Sequence, residues 1–285
     1  MKKCIIIINK FKEIASQLAD EIAPFLERNG VAVSRVVFGG VEDNADNGGC
    51  DFSGFDFAVT LGGDGTVLYA ARRCASLGIP VFPVNLGEFG FIAGISPNGW
   101  QEPMAAFLNG KLKLDSRMML LTEVVRGGKV VYMSSSLNDS VIKTAGSAKL
   151  AELDVVCNGY SLGRFRSDGI ITATPTGSTA YSAAAGGPIA DPLLDVIVFS
   201  PICPFSLSNR PLVLSCDSVL EVTVKDSRGA DILLTCDGQE SFPLCTEDVV
   251  TVRRSETEVQ LAGCGKSEFY TALKSKLNWS GGPHA

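Results

Sequence analysis

The N-terminal third of the chain alternates between short apolar runs and segments in which apolar residues recur at helical spacing. An apolar run predicts a strand at residues 4–8, and helical spacing predicts a helix at residues 11–28 that stops at Asn29-Gly30. The same order then repeats, with strands predicted at residues 31–38, 57–61 and 80–84 and helices at residues 66–77 and 101–108. A repeated strand–helix–strand order favours a parallel sheet that is covered by helices.

From about residue 115 onwards, the pattern changes to short apolar runs that are split by Gly, Asn or Asp. Two of the breaks, Gly127-Gly128 and Asn158-Gly159, are typical of hairpin turns because their residues accept a positive φ. Later runs alternate apolar and polar residues, as antiparallel strands with one buried face do. We therefore predict an α/β N-terminal domain with a parallel sheet and a mostly antiparallel, β-rich C-terminal domain. Their predicted bounds are residues 1–115 and 116–265, with a helical segment at 266–285 that packs back on the first domain.

Composition narrows the class of protein. The net charge of −6 argues against a general nucleic-acid or anionic-membrane binder, although a small anionic ligand remains possible. Nine cysteines lack zinc-site spacing, and no secretion signal or membrane-length apolar run occurs, so we expect reduced thiols in a cytoplasmic protein. The one histidine, His284, falls in a Gly/Pro-rich tail, so acid–base chemistry is expected to use carboxylates, Lys, Tyr or Cys.

A glycine-rich turn separates the strand at 57–61 from the helix at 66–77, within the stretch TLGGDGTVLYAA. Open α/β sheets bind ligands outside the carboxyl ends of their strands, which is where this turn lies. Its glycines let the backbone approach a phosphate, and the helix N-terminus offers free N–H groups. Asp64 precedes that helix as the only charged residue of the turn, and it is the best candidate for a base. The alternative is a tight turn in which Asp64 only caps the helix.

Two further polar patterns could form binding sites. Asn138-Asp139 adjoins an apolar strand, and an amide beside a carboxylate suits the two hydroxyls of a ribose. Arg164, Arg166 and Asp168 alternate, so on a strand they would share one face and could meet phosphate and amide groups. A solvated turn and a salt-bridged surface face, respectively, would explain these patterns equally well.

The stretch TPTGSTAYSAAAGG combines hydroxyl-bearing residues with a helical run of small residues. Pro175 ends the preceding strand, and the hydroxyls of Thr176, Ser178 and Thr179 can either cap the helix or contact a ligand. The alanines leave room for a flat ring against the backbone, on which Tyr181 could pack. The alternative is a structural cap with a core tyrosine.

The turn resembles the GGDGT signature that NAD kinases share with lipid kinases of the diacylglycerol and sphingosine type and, more distantly, with phosphofructokinases. Four more stretches are similar to NAD kinase motifs in the order of that family: NLGEFGFIAG (85–94), SLNDSVI (136–142), GRFRSDGIITATPTGSTAYSAAAGGPI (163–189) and TCDGQ (235–239). The longest of them is highly specific, so the chain is identified as a member of the NAD kinase family. Asp139 departs from the pattern, because many members have the longer Glu there.

The resemblance implies transfer of the terminal phosphoryl group of ATP, or of polyphosphate, to the 2′-hydroxyl of the adenosine ribose of NAD, giving NADP. Asp64 would accept the hydroxyl proton or hold Mg²⁺ nearby. Mg²⁺ or another divalent cation would be held mainly by the ATP phosphates rather than by a protein metal site. Asn138 and Asp139 would hold adenosine groups, whereas Arg166 and Asp168 would meet the nicotinamide side. The other ligand contacts that the family pattern implies are Gly63, Gly65, Thr66, Lys149, Thr176, Thr179, Ala180, Tyr181, Ser182, Ala183, Ala184 and Gln239.

The resemblance also implies how the chain is organised. Residues 1–115 would be a nucleotide-binding domain and residues 116–265 a dinucleotide-binding domain. The family's assemblies imply a homodimer or homotetramer in which a neighbouring subunit supplies Asp168, and only small-molecule substrates as other partners. Two alternatives stay open: a lipid kinase of the GGDGT superfamily, which would need a greasy pocket or a basic membrane-facing patch, and a non-catalytic dinucleotide sensor.

Overall fold

The protein is described here by a computed structural model that covers residues 1–40, 51–87, 90–146, 150–226, 229 and 231–277. It forms two compact units. Unit 1 contains Met1–Arg117 together with the chain from Thr257 onwards, and unit 2 contains Met118–Glu256. The chain therefore leaves unit 1 once and returns to it near its end.

Unit 1 has the α/β architecture that the sequence predicts. Its elements are β1 (Lys2–Asn9), α1 (Glu13–Arg28), β2 (Val31–Phe38), β3 (Phe57–Gly62), α2 (Asp64–Cys74), β4 (Val81–Asn85) and α3 (Gln101–Leu108). The four strands are parallel and lie in the order β2-β1-β3-β4. The chain thus runs outward from β1 to β2 on one side and continues with β3 on the other side.

Both faces of this sheet are covered, which explains the continuous apolar run in β1. Cys4, Ile6 and Ile8 pack in one core cluster with the apolar stripe of α1. Ile5 and Ile7 point to the opposite face and are also fully buried. A strand that is buried on both faces needs apolar residues at every position, so it does not alternate.

The helix after the glycine-rich turn begins earlier than predicted. Its first residue is Asp64, with Gly63 as the extended N-cap, and it ends at Cys74. A short 3₁₀ turn, Ala75–Leu77, completes the predicted span, and Gly78 follows with φ of +66°. Asp64 therefore belongs to the helix rather than to the loop before it.

Unit 2 is antiparallel and β-rich, as predicted. It contains β6 (Lys129–Ser136), β7 (Asp139–Ala145), β8 (Ala151–Cys157), β9 (Tyr160–Ser167), β10 (Gly169–Ala173), α4 (Tyr181–Ala184), β11 (Val196–Ile202), β12 (Leu212–Ser215), β13 (Leu220–Asp226), β14 (Asp231–Cys236) and β15 (Glu240–Leu244). It also contains most of β5 (Leu114–Arg126), which starts in unit 1, and most of β16 (Val249–Ala262), which ends in unit 1. One sheet contains the path β16-β13-β8-β9 with β5 and β6 attached, and the other has the order β12-β11-β10-β7-β14-β15. Side chains of both sheets form the core of the unit, among them Leu153 and Val222 of the first and Ile170 and Phe199 of the second.

The two predicted hairpin turns are confirmed. Gly127 and Gly128 join β5 to β6 with φ of +56° and +77°. Asn158 and Gly159 join β8 to β9 with φ of +51° and +80°. Consecutive left-handed residues match the twist of the flanking strands, which is why Gly and Asn occupy these turns.

The end of the chain belongs to unit 1. There β16 pairs in parallel with β4, at Leu261 and Val81, and α5 (Lys266–Lys276) follows. The helical segment that the sequence predicts at 266–285 thus starts at Lys266, and residues 278–285 lie outside the described part. In that part no helix is both long enough and apolar enough to cross a membrane. Eight of the cysteines are described, all are free thiols, and six are buried.

Candidate active site

The glycine-rich turn lies where the strand order of unit 1 reverses. Asn9, the last residue of β1, donates from Nδ2 to Thr66 Oγ1 at 3.0 Å. A Cβ on Gly62 would lie 2.1 Å from that Thr66 oxygen, so glycine is required for this close approach. Such a reversal point, at the carboxyl ends of the strands, is where open α/β sheets bind ligands. Asn9 was missed in the sequence analysis because nothing in its neighbourhood marks it.

The Asp64 carboxylate is held by a loop rather than by its own helix. Its Oδ2 accepts the N–H of Phe91 at 2.8 Å, and its Oδ1 accepts the N–H of Ile92 at 3.4 Å. Gly63, and not Asp64, is the N-cap of α2. The alternative in which Asp64 only caps the helix is therefore wrong. This carboxylate connects the turn to the NLGEFGFIAG stretch.

Burial controls the protonation of Asp64. Removal from water raises the pKa of this carboxyl, while the N–H groups of Phe91 and Ile92 and the charge of Lys276 act in the opposite direction. The first effect is larger, so the pKa lies above its usual range. A raised pKa makes the carboxylate a stronger proton acceptor than a solvated one.

The loop after β4 is built around Asn85 and Gly90. Asn85 Oδ1 accepts the N–H of Gly87 at 2.9 Å, and the N–H of Leu86 reaches Gly62 O at 2.7 Å. A Cβ on Gly90 would lie 2.7 Å from Asp64 Oδ1. Residues 88 and 89 lie outside the described part. Two cavities of about 490 and 350 Å³ open beside this loop, and Asn85 lines both of them.

In unit 2, a carboxylate that the sequence analysis overlooked organises the predicted ribose-binding pair. Asp237 accepts the backbone N–H groups of Leu137, Asn138 and Asp139 at 3.0, 2.7 and 3.3 Å. It adopts a left-handed φ of +53°, in the loop between β14 and β15. Asp237 is part of the TCDGQ stretch, but the family pattern selected Gln239, two residues later in the same loop.

Asp139 is buried, so the alternative of a solvated turn is wrong. Only 5% of its surface is exposed. Burial and, secondarily, the charge of Asp237 raise the pKa of Asp139 to about 7. A cavity of about 280 Å³ lies beside Asp139, and the predicted contacts Asn138, Ala180 and Tyr181 line it as well. Its other lining residues are Val141, Lys143, Thr235, Asp237 and Gly238.

The TPTGST stretch packs directly against the backbone of this pair. Thr176–Thr179 forms a 3₁₀ turn after β10. Thr174 Oγ1 donates to Leu137 O at 2.5 Å, and its N–H donates to Asn138 O at 2.9 Å. A Cβ on Gly177 would lie 2.0 Å from Asn138 O. The turn therefore determines where Asn138 lies.

The hydroxyl groups of this stretch do not cap the short helix as predicted. Ser178 Oγ donates to Pro175 O at 2.7 Å and Thr179 Oγ1 to Thr176 O at 3.3 Å, so both bond within the turn. Ser182 Oγ lies 3.1 Å from Ser200 Oγ and is fully buried. The helical run is only four residues long. Thr176 is buried too, whereas Thr179, Ala180, Tyr181, Ala183 and Ala184 are at least partly accessible.

The predicted common face of Arg164, Arg166 and Asp168 exists only for the two arginines. Both lie on β9 beside Glu152, Arg166 at 3.5 Å and Arg164 at 3.9 Å, and Arg164 also pairs with Asp154 at 2.7 Å. Asp168 comes after the last residue of β9, so the strand period does not apply to it. Its carbonyl accepts the N–H of Thr144 at 2.9 Å.

The Arg166 guanidinium lies 5.0 Å from the ring centre of Phe205, an exposed aromatic residue that the sequence analysis did not select. The predicted contact Lys149 lies outside the described residues. Within the described ranges, no three His, Cys, Asp or Glu side chains are grouped so that they could hold a metal ion.

Comparisons with known proteins agree over almost the whole chain. Residues 4–112 match the ATP-NAD kinase N-terminal domain, and residues 137–263 match the ATP-NAD kinase C-terminal domain. A protein of Treponema denticola named NAD kinase is 44% identical over 281 residues, which cover 99% of this chain and 98% of that protein. The NAD kinase of Treponema pallidum strain Nichols is 40% identical over 279 residues, covering 98% of this chain and 90% of that protein.

Two solved structures share the fold. The structure of yeast NADH kinase complexed with NADH has a TM-score of 0.85 at 24% identity and covers 99% of this chain and 89% of that chain. The structure of an NAD kinase from Archaeoglobus fulgidus in complex with ATP has a TM-score of 0.75 at 23% identity, with coverage of 98% and 99%.

Proposed function

This chain belongs to the ATP-NAD kinase family, and we propose that it transfers the terminal phosphoryl group of ATP to the 2′-hydroxyl of the adenosine ribose of NAD, giving NADP and ADP. The observation that carries this proposal is the half-buried Asp64 carboxylate, which two loop N–H groups orient at the reversal point of the parallel sheet. A carboxylate in that position, with a raised pKa, fits the role of general base.

Asp64 would act on the proton of the acceptor hydroxyl. As the hydroxyl oxygen forms its bond to the terminal phosphorus, the bond from that phosphorus to the bridging oxygen of ADP breaks. The hydroxyl proton passes to Asp64 and then to solvent. Phosphoryl transfer depends on positioning and on charge neutralisation, and it requires no covalent enzyme intermediate.

The phosphates of the donor would lie against the glycine-rich turn. Gly63 is the N-cap of α2, and Gly65 and Thr66 lie in its first turn, where the helix dipole favours an anion. Mg²⁺, or another divalent cation, would arrive with the donor phosphates and neutralise their charge. Polyphosphate presents the same phosphoanhydride chemistry, so it is the alternative donor.

The dinucleotide would be held in unit 2. Asn138 and Asp139 line its cavity together with Ala180 and Tyr181, and Asp237 holds the backbone of the first pair. An amide and a carboxyl can serve both the donor and the acceptor needs of ribose hydroxyls. The tyrosine is 41% exposed and presents a ring on which a base could stack.

The remaining predicted residues would contact the nicotinamide half of NAD or complete the binding site. Arg166, beside Phe205, and Asp168 would meet the nicotinamide half, with Asp168 supplied by a neighbouring subunit. The family contacts that complete the set are Lys149, Thr176, Thr179, Ser182, Ala183, Ala184 and Gln239. Of these, Ser182 would act through the position of its backbone, because its hydroxyl is engaged by Ser200.

The deciding experiment compares Asp64→Asn with the unaltered chain. With ATP, Mg²⁺ and NAD, we expect phosphorylation to fall by a factor of about 10²–10⁴, because the general base is lost. Binding of NAD, measured by calorimetry, should weaken at most about tenfold. Turnover of the variant above about a tenth of the original would rule out the base role.

The same assay separates the alternatives. Tight NAD binding without any turnover in the unaltered chain would indicate a dinucleotide sensor. Turnover of a diacylglycerol in place of NAD would indicate a lipid kinase, and replacing ATP by polyphosphate tests the donor.

A further inference from the structure

Lys276, the last residue of α5, reaches the loop that holds Asp64. Its Nζ donates to Gly90 O, and it lies 5.8 Å from the ring centre of Phe91. The Phe91 ring in turn lies 6.2 Å from Phe269, on the same helix. All of these residues belong to unit 1. The C-terminal helix is therefore in direct contact with the loop beside the proposed base.

The two contacts share one peptide group. The carbonyl of Gly90 and the N–H of Phe91 belong to the same planar unit, and in a trans peptide they point in opposite directions. Lys276 binds the oxygen of this unit, while the N–H donates to Asp64 Oδ2 at 2.8 Å. A rotation of the peptide would break both bonds at once. A cation on the carbonyl also polarises the N–H and strengthens its bond to the carboxylate.

Gly90 lies close to the Asp64 carboxylate. A Cβ on Gly90 would come within 2.7 Å of Asp64 Oδ1, so the backbone already touches the carboxylate. Burial lowers the pKa of Lys276, whereas the charge of Asp64 raises it. The Lys276 ammonium group is thus partly removed from water, and the negative charge of Asp64 stabilises its charged form.

We propose that Lys276 is a positioning residue for Asp64, which acts through the peptide between Gly90 and Phe91 to orient the carboxylate and to balance its charge. The proposal rests on the proposed function of Asp64 as the base. It assigns a role in the reaction to the C-terminal helix, which the sequence motifs do not reach.

The other titratable groups near Asp64 do not duplicate this role. The Cys264 thiol donates to Ile92 O at 3.0 Å, and burial raises its pKa to about 12, so it stays neutral. Glu268 lines the 350 Å³ cavity with Lys276 and carries the opposite charge. Lys274, two residues from Lys276 on the same helix, is exposed and provides a matched control.

The test compares three variants of the full-length protein. We expect Lys276→Met to lower kcat for NAD phosphorylation about 10- to 100-fold, because the base is misplaced. The KM for NAD should stay within about threefold, because the NAD site is unchanged. Lys276→Arg, which keeps the charge and a donor, should recover at least about a third of the lost turnover. Lys274→Met should match the unaltered chain. A Lys276→Met variant with kcat within about twofold of the original overturns the proposal.

A second measurement needs no activity. The ¹³C carboxyl signal of Asp64 is titrated by NMR without substrates in the unaltered chain, Lys276→Met and Lys274→Met. Removing the nearby cation should raise the Asp64 midpoint by about half a pH unit or more, and the acidic limb of the rate profile should move with it. A purely structural role would leave the midpoint in place, and an unmoved midpoint overturns the proposal. If the unaltered chain fails to phosphorylate NAD, the proposed function fails, but the titration still decides whether Lys276 controls Asp64.

Discussion

At the scale of single residues, two neighbouring carboxyl groups in unit 2, those of Asp237 and Asp139, have different surroundings. Asp237 accepts three backbone N–H groups, which suit a charged carboxylate. Asp139 is buried beside it, and its pKa is raised to about 7. An unfolded aspartate titrates near ~3.9, so between these two pH values the folded chain retains a proton that the unfolded chain has lost. The free energy of unfolding therefore falls as the pH rises from about 4 to about 7.

The substitution Asp139→Asn removes this titration with little change of shape. We expect the variant and the unaltered chain to have similar stability near pH ~4.5, and the variant to be about 1–3 kcal/mol more stable near pH ~8. Urea unfolding at both pH values measures the difference. A stability difference that is the same at both pH values would contradict the assignment of the raised pKa.

At the scale of elements, the 3₁₀ turn after β10 sets the position of the neighbouring strand β7. A Cβ on Gly177 would lie 2.0, 2.4 and 2.6 Å from the O, C and Cα atoms of Asn138. These are backbone atoms, so neither side can rotate away. A glycine is needed there because the turn and the Asn138-Asp139 pair are in backbone contact, although the TPTGST pattern by itself suggested only hydroxyls that cap a helix or contact a ligand.

Gly177→Ala is therefore expected to lower the free energy of unfolding by about 1–3 kcal/mol or more and to weaken NAD binding, because Asn138 must move. Gly99→Ala is the control, since a Cβ at Gly99 meets no atom within 4 Å. It should change stability by less than about 0.5 kcal/mol. Urea unfolding and NAD calorimetry measure both effects. If the two variants behaved alike, the close approach would not constrain the turn.

At the scale of the whole molecule, unit 2 exposes apolar side chains near an edge strand. Phe205 and Leu207 are 70% and 85% exposed, and Val213 of β12, which pairs only with β11 among the described strands, is 56% exposed. Exposed edges and apolar side chains are often covered by another copy of the same chain. The family resemblance also implies a homo-oligomer in which Asp168 comes from a neighbour.

If so, activity depends on association. Mixing Asp64→Asn with Asp168→Asn protomers should restore part of the NAD phosphorylation, because mixed assemblies then contain some intact sites. Light scattering establishes the mass of each mixture, and each variant alone serves as the control. A fully active monomer, or mixed oligomers without any recovered turnover, would place Asp168 in the site of its own chain.

Features that depend on neighbouring residues could be predicted from the amino-acid sequence. The continuous apolar run of β1 indicated burial on both faces, and Gly127-Gly128 and Asn158-Gly159 indicated hairpins, because these structures depend on local φ preference and side-chain period. The same local patterns identified the family and selected Asp64 as a candidate base, although they predicted a helix start at residue 66 and α2 begins at Asp64 itself. Periodicity does not extend beyond the end of an element, as for Asp168, which follows the last residue of β9.

The partners of the functional groups, in contrast, depend on long-range contacts of the folded chain. The N–H groups on Asp64 come from residues 27 and 28 positions away, Asp237 binds N–H groups 98 to 100 positions away, and Lys276 reaches Gly90 over 186 positions. No local propensity encodes such pairs, since they arise when the order of the strands and the return of the chain to unit 1 bring distant loops to the same place. Burial, which raises the pKa of both Asp64 and Asp139, likewise exists only after the chain has folded around them.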